Sequence, residues 1–186
     1  WFTVTGNVAS DEHVILDLPA LAANNHNGGA LAFGPDGMLY VAVGENAVPD
    51  RAQDLQSPFG KILRLTPDGG VPLDNPAVSG PIGYPDMVWA SGLRNPFTMA
   101  FQPGTGRLFI NDVGSSQFEE INEGASGANY GWPATEGPGS PGLVYSYGRG
   151  SGCSIIGGAF YNPAVVELPS DLIGRYVFSD FCGGWI

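Results

Sequence analysis

Three segments of this 186-residue chain carry side chains whose types and spacing can do chemistry. The first is Asn24-Asn25-His26-Asn27-Gly28-Gly29, a polar, glycine-rich loop through which backbone can approach a ligand. Its histidine is a candidate general base, because an unperturbed imidazole titrates near neutrality. The competing reading is a histidine that hydrogen-bonds local backbone. The second segment is Ser91-Gly92-Leu93-Arg94-Asn95-Pro96-Phe97, which leads into an apolar run. Arg94 is one of only seven Lys and Arg residues. A guanidinium in a loop bounded by Gly and Pro can clamp an anion or a developing oxyanion. Pairing with one of the 18 Asp and Glu residues is the alternative. The third segment runs from Asn111 to Asn122 and on through Ala128-Asn129-Tyr130-Gly131-Trp132-Pro133. Asp112, Glu119 and Glu120 lie there among Gly and Ser, and such a loop can supply the roughly six to eight oxygens that calcium takes. EF-hand spacing and its glycine are absent, and a solvated acidic loop is the alternative.

Strands must position these loops. Leu31-Ala32-Phe33, the turn Gly34-Pro35-Asp36-Gly37 and Met38-Leu39-Tyr40-Val41-Ala42-Val43-Gly44 together have the chemistry of a hairpin. The same figure returns at Met99-Ala100-Phe101, Gln102 to Gly106 and Arg107-Leu108-Phe109-Ile110, then runs into Asp112-Val113-Gly114. A weaker echo joins Gly158-Ala159-Phe160-Tyr161-Asn162-Pro163 to Tyr176-Val177-Phe178-Ser179-Asp180. Strands are expected at Leu31–Phe33, Leu39–Val43, Thr98–Phe101, Leu108–Asn111 and Tyr176–Asp180. Echoes every ~60–70 residues fit an all-β propeller in which each repeat is one four-stranded blade. Residues 1–186 then form a single partial propeller domain of about three blades, where closed rings take about four to eight. The open edges imply a fragment of a larger ring, or a partner chain that completes it. Val14 to Ala23 reads equally as a short helix or an apolar loop. The start at Trp1-Phe2-Thr3-Val4-Thr5, without Met, suggests a processed or truncated end.

Composition narrows the class. Apolar residues make up 43%, enough to fill a core, and 29 Gly with 16 Pro fit many turns between short strands. The net charge of −11 and scattered cations argue against nucleic acid, whose phosphates call for clustered Lys and Arg. No apolar run approaches the ~20 residues of a membrane span, and no leader is evident. Cys153 and Cys182 fit one disulfide and an oxidising compartment, with two buried free thiols as the alternative.

Taken together, five motifs in order resemble the soluble quinone-dependent glucose/sorbosone (aldose) sugar dehydrogenases. They are His26-Asn27-Gly28-Gly29 leading to Leu31 through Gly37; Gly60-Lys61-Ile62-Leu63-Arg64-Leu65 with Asp68-Gly69; Gly92-Leu93-Arg94-Asn95-Pro96; Glu119-Glu120-Ile121-Asn122; and Asn129-Tyr130-Gly131-Trp132-Pro133. The family fold is a six-bladed propeller with pyrroloquinoline quinone (PQQ) near its axis. The resemblance implies that His26 takes the proton of the sugar's anomeric hydroxyl while hydride passes to the quinone. Arg94 then lies beside the quinone carbonyls and Asn95 is a neighbouring ligand. The carbonyls of Gly114 and Ser115 hold a calcium ion that polarises the quinone, and Glu120 and Tyr130 hold a second, structural calcium. The implied substrate is an aldose oxidised to a lactone, with a cytochrome or quinone as electron acceptor, in a secreted or periplasmic protein.

Departures from the pattern are Ser115 in place of Pro, Asn25 in place of an acid before the histidine, and Phe97 at a position polar in the best-known glucose enzymes. The lysine that pairs with the quinone carboxylates falls at Cys182, opposite Cys153. That cysteine pair, which the resemblance implies is bonded, marks a branch shared by bacterial enzymes and hedgehog-interacting proteins. A noncatalytic propeller that binds protein or glycan is therefore the second expectation.

Overall fold

The computed structural model describes residues 1–76 and 84–186. A hairpin of β1 (Thr3–Thr5) and β2 (Val8–Ser10) precedes an antiparallel meander of β3 (Gly28–Phe33), β4 (Leu39–Val43), β5 (Lys61–Leu65) and β6 (Val88–Ser91). A second meander follows, made of β7 (Pro96–Phe101), β8 (Leu108–Asp112), β9 (Phe118–Gly124) and β10 (Leu143–Gly148). Strands β11 (Ile155–Phe160) and β12 (Tyr176–Asp180) form a last antiparallel pair. Among the described residues helix is confined to single turns at Pro49–Ala52, Tyr84–Met87 and Ser170–Leu172. These sheets are successive propeller blades, two complete and a third of two strands, with β3 packed on β7 and β7 on β11. All five expected strands are present. Val14 to Ala23 is irregular chain, and its Leu16 and Leu18 pack on the first blade.

Strand faces explain the packing. In β4, Tyr40 and Ala42 join a core shared with Met99, Leu108 and Ile110 of the second blade, whereas Val43 turns to a core with Phe59, Leu63 and Val88. β8 alternates in the same way: Leu108 and Ile110 face the first blade, and Phe109 faces Tyr147, Ile155 and the rings of Phe160 and Tyr176. Strands with a packed layer on each side therefore read as continuous apolar runs rather than as an alternation. Each fully buried Ile, such as Ile62 or Ile110, contributes about 1.5–3 kcal/mol by leaving water. The β3–β4 turn is closed by Asp36, which accepts from Met38 N (3.1 Å), the Tyr40 hydroxyl (3.0 Å) and Arg64 Nη2 (2.8 Å). Gly37 supplies the left-handed residue of that turn (φ 77°).

One buried cation links the core to the loops above it. Lys61 is fully buried, and its ammonium donates to the carbonyls of Arg51 (2.8 Å), Ala52 (2.9 Å) and Phe59 (2.8 Å). The loop so pinned receives Gly92 N on Ala52 O (3.0 Å) and Leu93 N on Gly60 O (3.2 Å), which sets the path of the chain into Arg94. Replacing Lys61 with Met keeps the volume and removes all three donors. Lys61→Met is expected to destabilise the fold by about 2–4 kcal/mol, because buried carbonyls lose their partners. Urea unfolding measures this, and a loss below about 1 kcal/mol would mean that the carbonyls find other donors.

Candidate active site

His26 lies just before β3 and Glu45 just after β4, so hairpin register (Gly28 opposite Val43) brings them together. The imidazole Nδ1 bonds the Oε1 of Glu45, a carboxylate that is 1% exposed. Nε2 is 3.0 Å from Arg94 Nη2. A guanidinium only donates, so Nε2 accepts and the proton sits on Nδ1; this tautomer follows from the hydrogen-bond network. His26 holds a left-handed backbone (φ 51°), an uncommon conformation for a non-glycine residue. Asn46, fully buried, enforces it: its side chain accepts from Ala22 N (2.5 Å) and donates to Ala23 O (2.8 Å) and Asn27 Oδ1 (3.0 Å), and its N–H donates to His26 O (3.0 Å).

Arg94 and Asn95 are fixed from the second blade. Asp112, at the end of β8, accepts from Arg94 N (2.9 Å) and Asn95 N (2.6 Å). Asn95 Oδ1 in turn accepts from Gly28 N (3.0 Å), two residues beyond the histidine. The Arg94 guanidinium donates to Val113 O (2.9 Å) and Gly114 O (2.6 Å), and it lies 5.5 Å from the Trp132 ring, whose buried Nε1 has no partner. Burial pulls the Arg94 pKa below its ordinary value, against the pull of Asp112 and Glu45, yet an arginine stays charged at neutral pH. Burial pushes the Asp112 carboxyl up to about 8, and the nearby Glu120 carboxylate adds to the effect.

The predicted metal ligands fall into two groups. Glu120 and Tyr130 line a cavity of about 10 Å³ with Asp112, Glu136, Thr135, Gly92 and Gly114, closed on one side by Arg94 and Trp132. Carboxylates, a hydroxyl and carbonyls are the hard oxygen donors that suit calcium. This donor set fits a cation. Gly114 and Ser115 are arranged differently. Gly114 O accepts from both Arg94 Nη1 (2.6 Å) and Arg149 Nη2 (2.7 Å), and Ser115 O accepts from Arg149 Nη2 (2.7 Å). Both lone pairs of Gly114 O thus face guanidinium groups, and as placed these carbonyls do not fit a divalent ion.

Sequence reasoning missed four residues of this cluster: Glu45, Asn46, Glu136 and Arg149. Glu45 and Asn46 lie just past the end of β4, as Asp112 closes β8, so both second strands of the hairpins end close to an acid. Glu136 Oε1 accepts from the consecutive N–H groups of Ser115 (2.7 Å), Ser116 (3.1 Å), Gln117 (3.1 Å) and Phe118 (3.2 Å). Burial alone would raise its pKa, and those four donors bring it below the usual value instead. Nothing local in the sequence marks Glu136, because its partners lie 18 to 21 residues back along the chain. Cys153 and Cys182 form a disulfide with Cα atoms 5.5 Å apart, within normal geometry. Asp180 organises both ends of it by accepting from the N–H groups of Cys153, Ser154, Cys182 and Gly183; burial opposes this, but the donors hold its pKa down at about 2.

Known proteins resemble this chain over much of its length. The chain is 42% identical over 120 residues to the aldose sugar dehydrogenase YliI of Escherichia coli K12, covering 64% of this chain and 32% of that protein. It is 32% identical to the HIPL1 protein of Arabidopsis thaliana, covering 89% of this chain and 30% of that one. Among solved structures, the PQQ-bound aldose sugar dehydrogenase of Streptomyces coelicolor superposes with a TM-score of 0.72 at 34% identity, covering 85% of this chain and 46% of that chain. The chain thus spans about a third of the length of these curated relatives and about half of that solved structure. The family model for glucose/sorbosone dehydrogenases matches residues 3–146, most of the length described above, and the chain belongs to that family.

Proposed function

We propose that this chain forms part of the catalytic wall of a secreted or periplasmic, PQQ-dependent enzyme that oxidises the anomeric carbon of aldoses to lactones. The observation that carries the reading is the doubly held imidazole of His26, with Nδ1–H on Glu45 and the Nε2 lone pair toward Arg94. An anomeric hydroxyl displaces the Arg94 N–H and donates to Nε2. The proton moves to Nε2, and buried Glu45 stabilises the imidazolium that forms. Arg94, released from the histidine, offers its N–H to oxygen on which negative charge grows. PQQ, when bound, supplies the two-electron acceptor for the hydride that leaves the same carbon. The flat, cationic face of Arg94, the unpaired indole N–H of Trp132 and the amide of Asn95 suit an anionic ring bearing carbonyls. A cytochrome or a quinone is the proposed onward electron acceptor. Asp112, Glu120 and the carbonyl of Tyr130 would hold one structural calcium. No step is assigned to a metal at Gly114 and Ser115.

One observation favours a second reading. The disulfide occupies Cys182, where the resemblance places the lysine that pairs with the quinone carboxylates. A noncatalytic propeller that binds protein or glycan needs no such lysine. Spectral titration with PQQ separates the two readings: saturable binding supports the enzyme, and its absence in the presence of calcium supports the binding module.

Two outcomes follow for the enzyme. In a complete ring that contains this chain, His26→Ala should lower sugar turnover roughly 10²–10⁴-fold with a dye acceptor, while the melting temperature stays close to that of the parent; residues 1–186 alone should show no turnover. Full activity in the variant would remove His26 from the role of base. Calcium should raise the melting temperature of EDTA-stripped protein by mass action, and Glu120→Gln should lose most of that rise. An unchanged melting temperature on chelation would show that the oxygen cluster holds no ion.

A further inference from the structure

Arg149 lies outside every motif that marked the site, yet it is built into the site's wall. Its Nη1 is 2.9 Å from Glu119 Oε1, a fully buried carboxylate, and also donates to Cys153 O beside the disulfide. Its Nη2 donates to Gly114 O (2.7 Å) and Ser115 O (2.7 Å). Glu119 Oε2 closes the circuit by accepting from Gly114 N (3.2 Å) and from Ile155 N (3.1 Å). The Gly114 peptide is therefore held at its N–H by an acid and at its carbonyl by that acid's own partner. On the other side of the same oxygen stands Arg94, 2.6 Å away.

We propose that the Arg149 guanidinium is the resident cation at the Gly114 and Ser115 carbonyls, so that the protein supplies there, from its own chain, the positive charge that a divalent ion would otherwise bring. Three features carry this. A carbonyl oxygen has two lone pairs, and those of Gly114 are both taken, so an ion at ligand distance needs one guanidinium to leave and then sits beside the other. Calcium takes several oxygens, and Glu119, the carboxylate that receives Gly114 N, is already paired with Arg149. Finally, Arg149 is anchored by groups from β9 and from the loop before β11, so its charge is fixed in place rather than carried on a mobile surface chain. The cation is permanent, because arginine does not lose its proton in this pH range. Arg149 is thus a positioning residue. It orients the Gly114–Ser115 carbonyls and keeps metal off them, and a carboxylate-bearing quinone binds this wall without calcium at that point.

The metal arm stands without the enzyme reading, and the quinone arm rests on it. Calcium binding to EDTA-stripped protein is measured by equilibrium dialysis for the wild type, Glu120→Gln, Arg149→Lys and the double change Glu120→Gln/Arg149→Gln. The Glu120→Gln protein should bind no tight calcium, and the double variant should gain one equivalent as the carbonyls are freed. Arg149→Lys, which keeps the charge if Arg149→Gln disturbs the Glu119 pair, should behave as the wild type. One tight equivalent of calcium in Glu120→Gln, where Arg149 is intact, overturns the proposal, as does a double variant that gains none. The PQQ dissociation constant of Glu120→Gln should change less than about twofold between EDTA and excess calcium, and a tenfold tightening by calcium overturns it as well. If PQQ binds in neither condition, the enzyme reading fails while the metal counts still decide the role of Arg149.

Discussion

Asp112 accepts hydrogen bonds from two consecutive backbone N–H groups, those of Arg94 and Asn95, across the mouth of the β7–β8 hairpin. That carboxyl is 5% exposed and has no side-chain cation within bonding distance among the described residues. Taking a carboxylate out of water is costly, and backbone donors offset only part of the cost, which is why its pKa climbs to about 8. The position of everything else in the site follows from this restraint. Arg94 N and O are both tied, the carbonyl accepting from Glu45 N (2.8 Å), and Asn95 reaches across to Gly28 N (3.0 Å). Release of Asp112 would let the guanidinium, the amide and the histidine loop drift apart together.

The same device recurs in each blade. The start of the first strand of a hairpin and the end of its second strand must meet, because the pair is antiparallel. In the first blade an acid after β4, Glu45, holds His26 before β3. In the second, Asp112 at the end of β8 holds Arg94 and Asn95 before β7. In the third, Asp180 at the end of β12 holds Cys153 and Ser154 before β11. A repeat that builds a scaffold has thus placed a histidine, an arginine and a disulfide at the same end of successive blades. Loops on such a rigid frame can diverge in chemistry while their positions stay fixed.

Hairpins were legible in the sequence because their turn residues and apolar flanks are local. Leu39–Val43 and Tyr176–Asp180 were expected with the bounds they have. The outer strands β5, β6, β9 and β10 were not individually marked. Two of them carry buried charges, Lys61 and Arg64 in β5, Glu119 and Glu120 in β9, which break the apolar pattern that identifies strands. Those charges are tolerated only because distant partners satisfy them, and distant partners are invisible in a linear reading. His26 and Arg94 were found from their types and setting, and the structure brings them into contact. Arg149 was hidden for the opposite reason: its neighbours Gly148, Gly150 and Ser151 read as an ordinary polar turn, and its partners Gly114, Ser115 and Glu119 lie about 30 residues or more away.

The central claim is that His26 is held as the Nδ1–H tautomer, with its Nε2 lone pair accepting from Arg94. Nitrogen-15 NMR of the imidazole side chains tests it directly. The chain has only two histidines, so replacing His13 assigns the spectrum. At neutral pH the account predicts a protonated Nδ1 and an unprotonated, acceptor Nε2 on His26. A His26 ring protonated at Nε2, with Nδ1 bare, would contradict it, since that nitrogen would have no lone pair to receive a substrate proton.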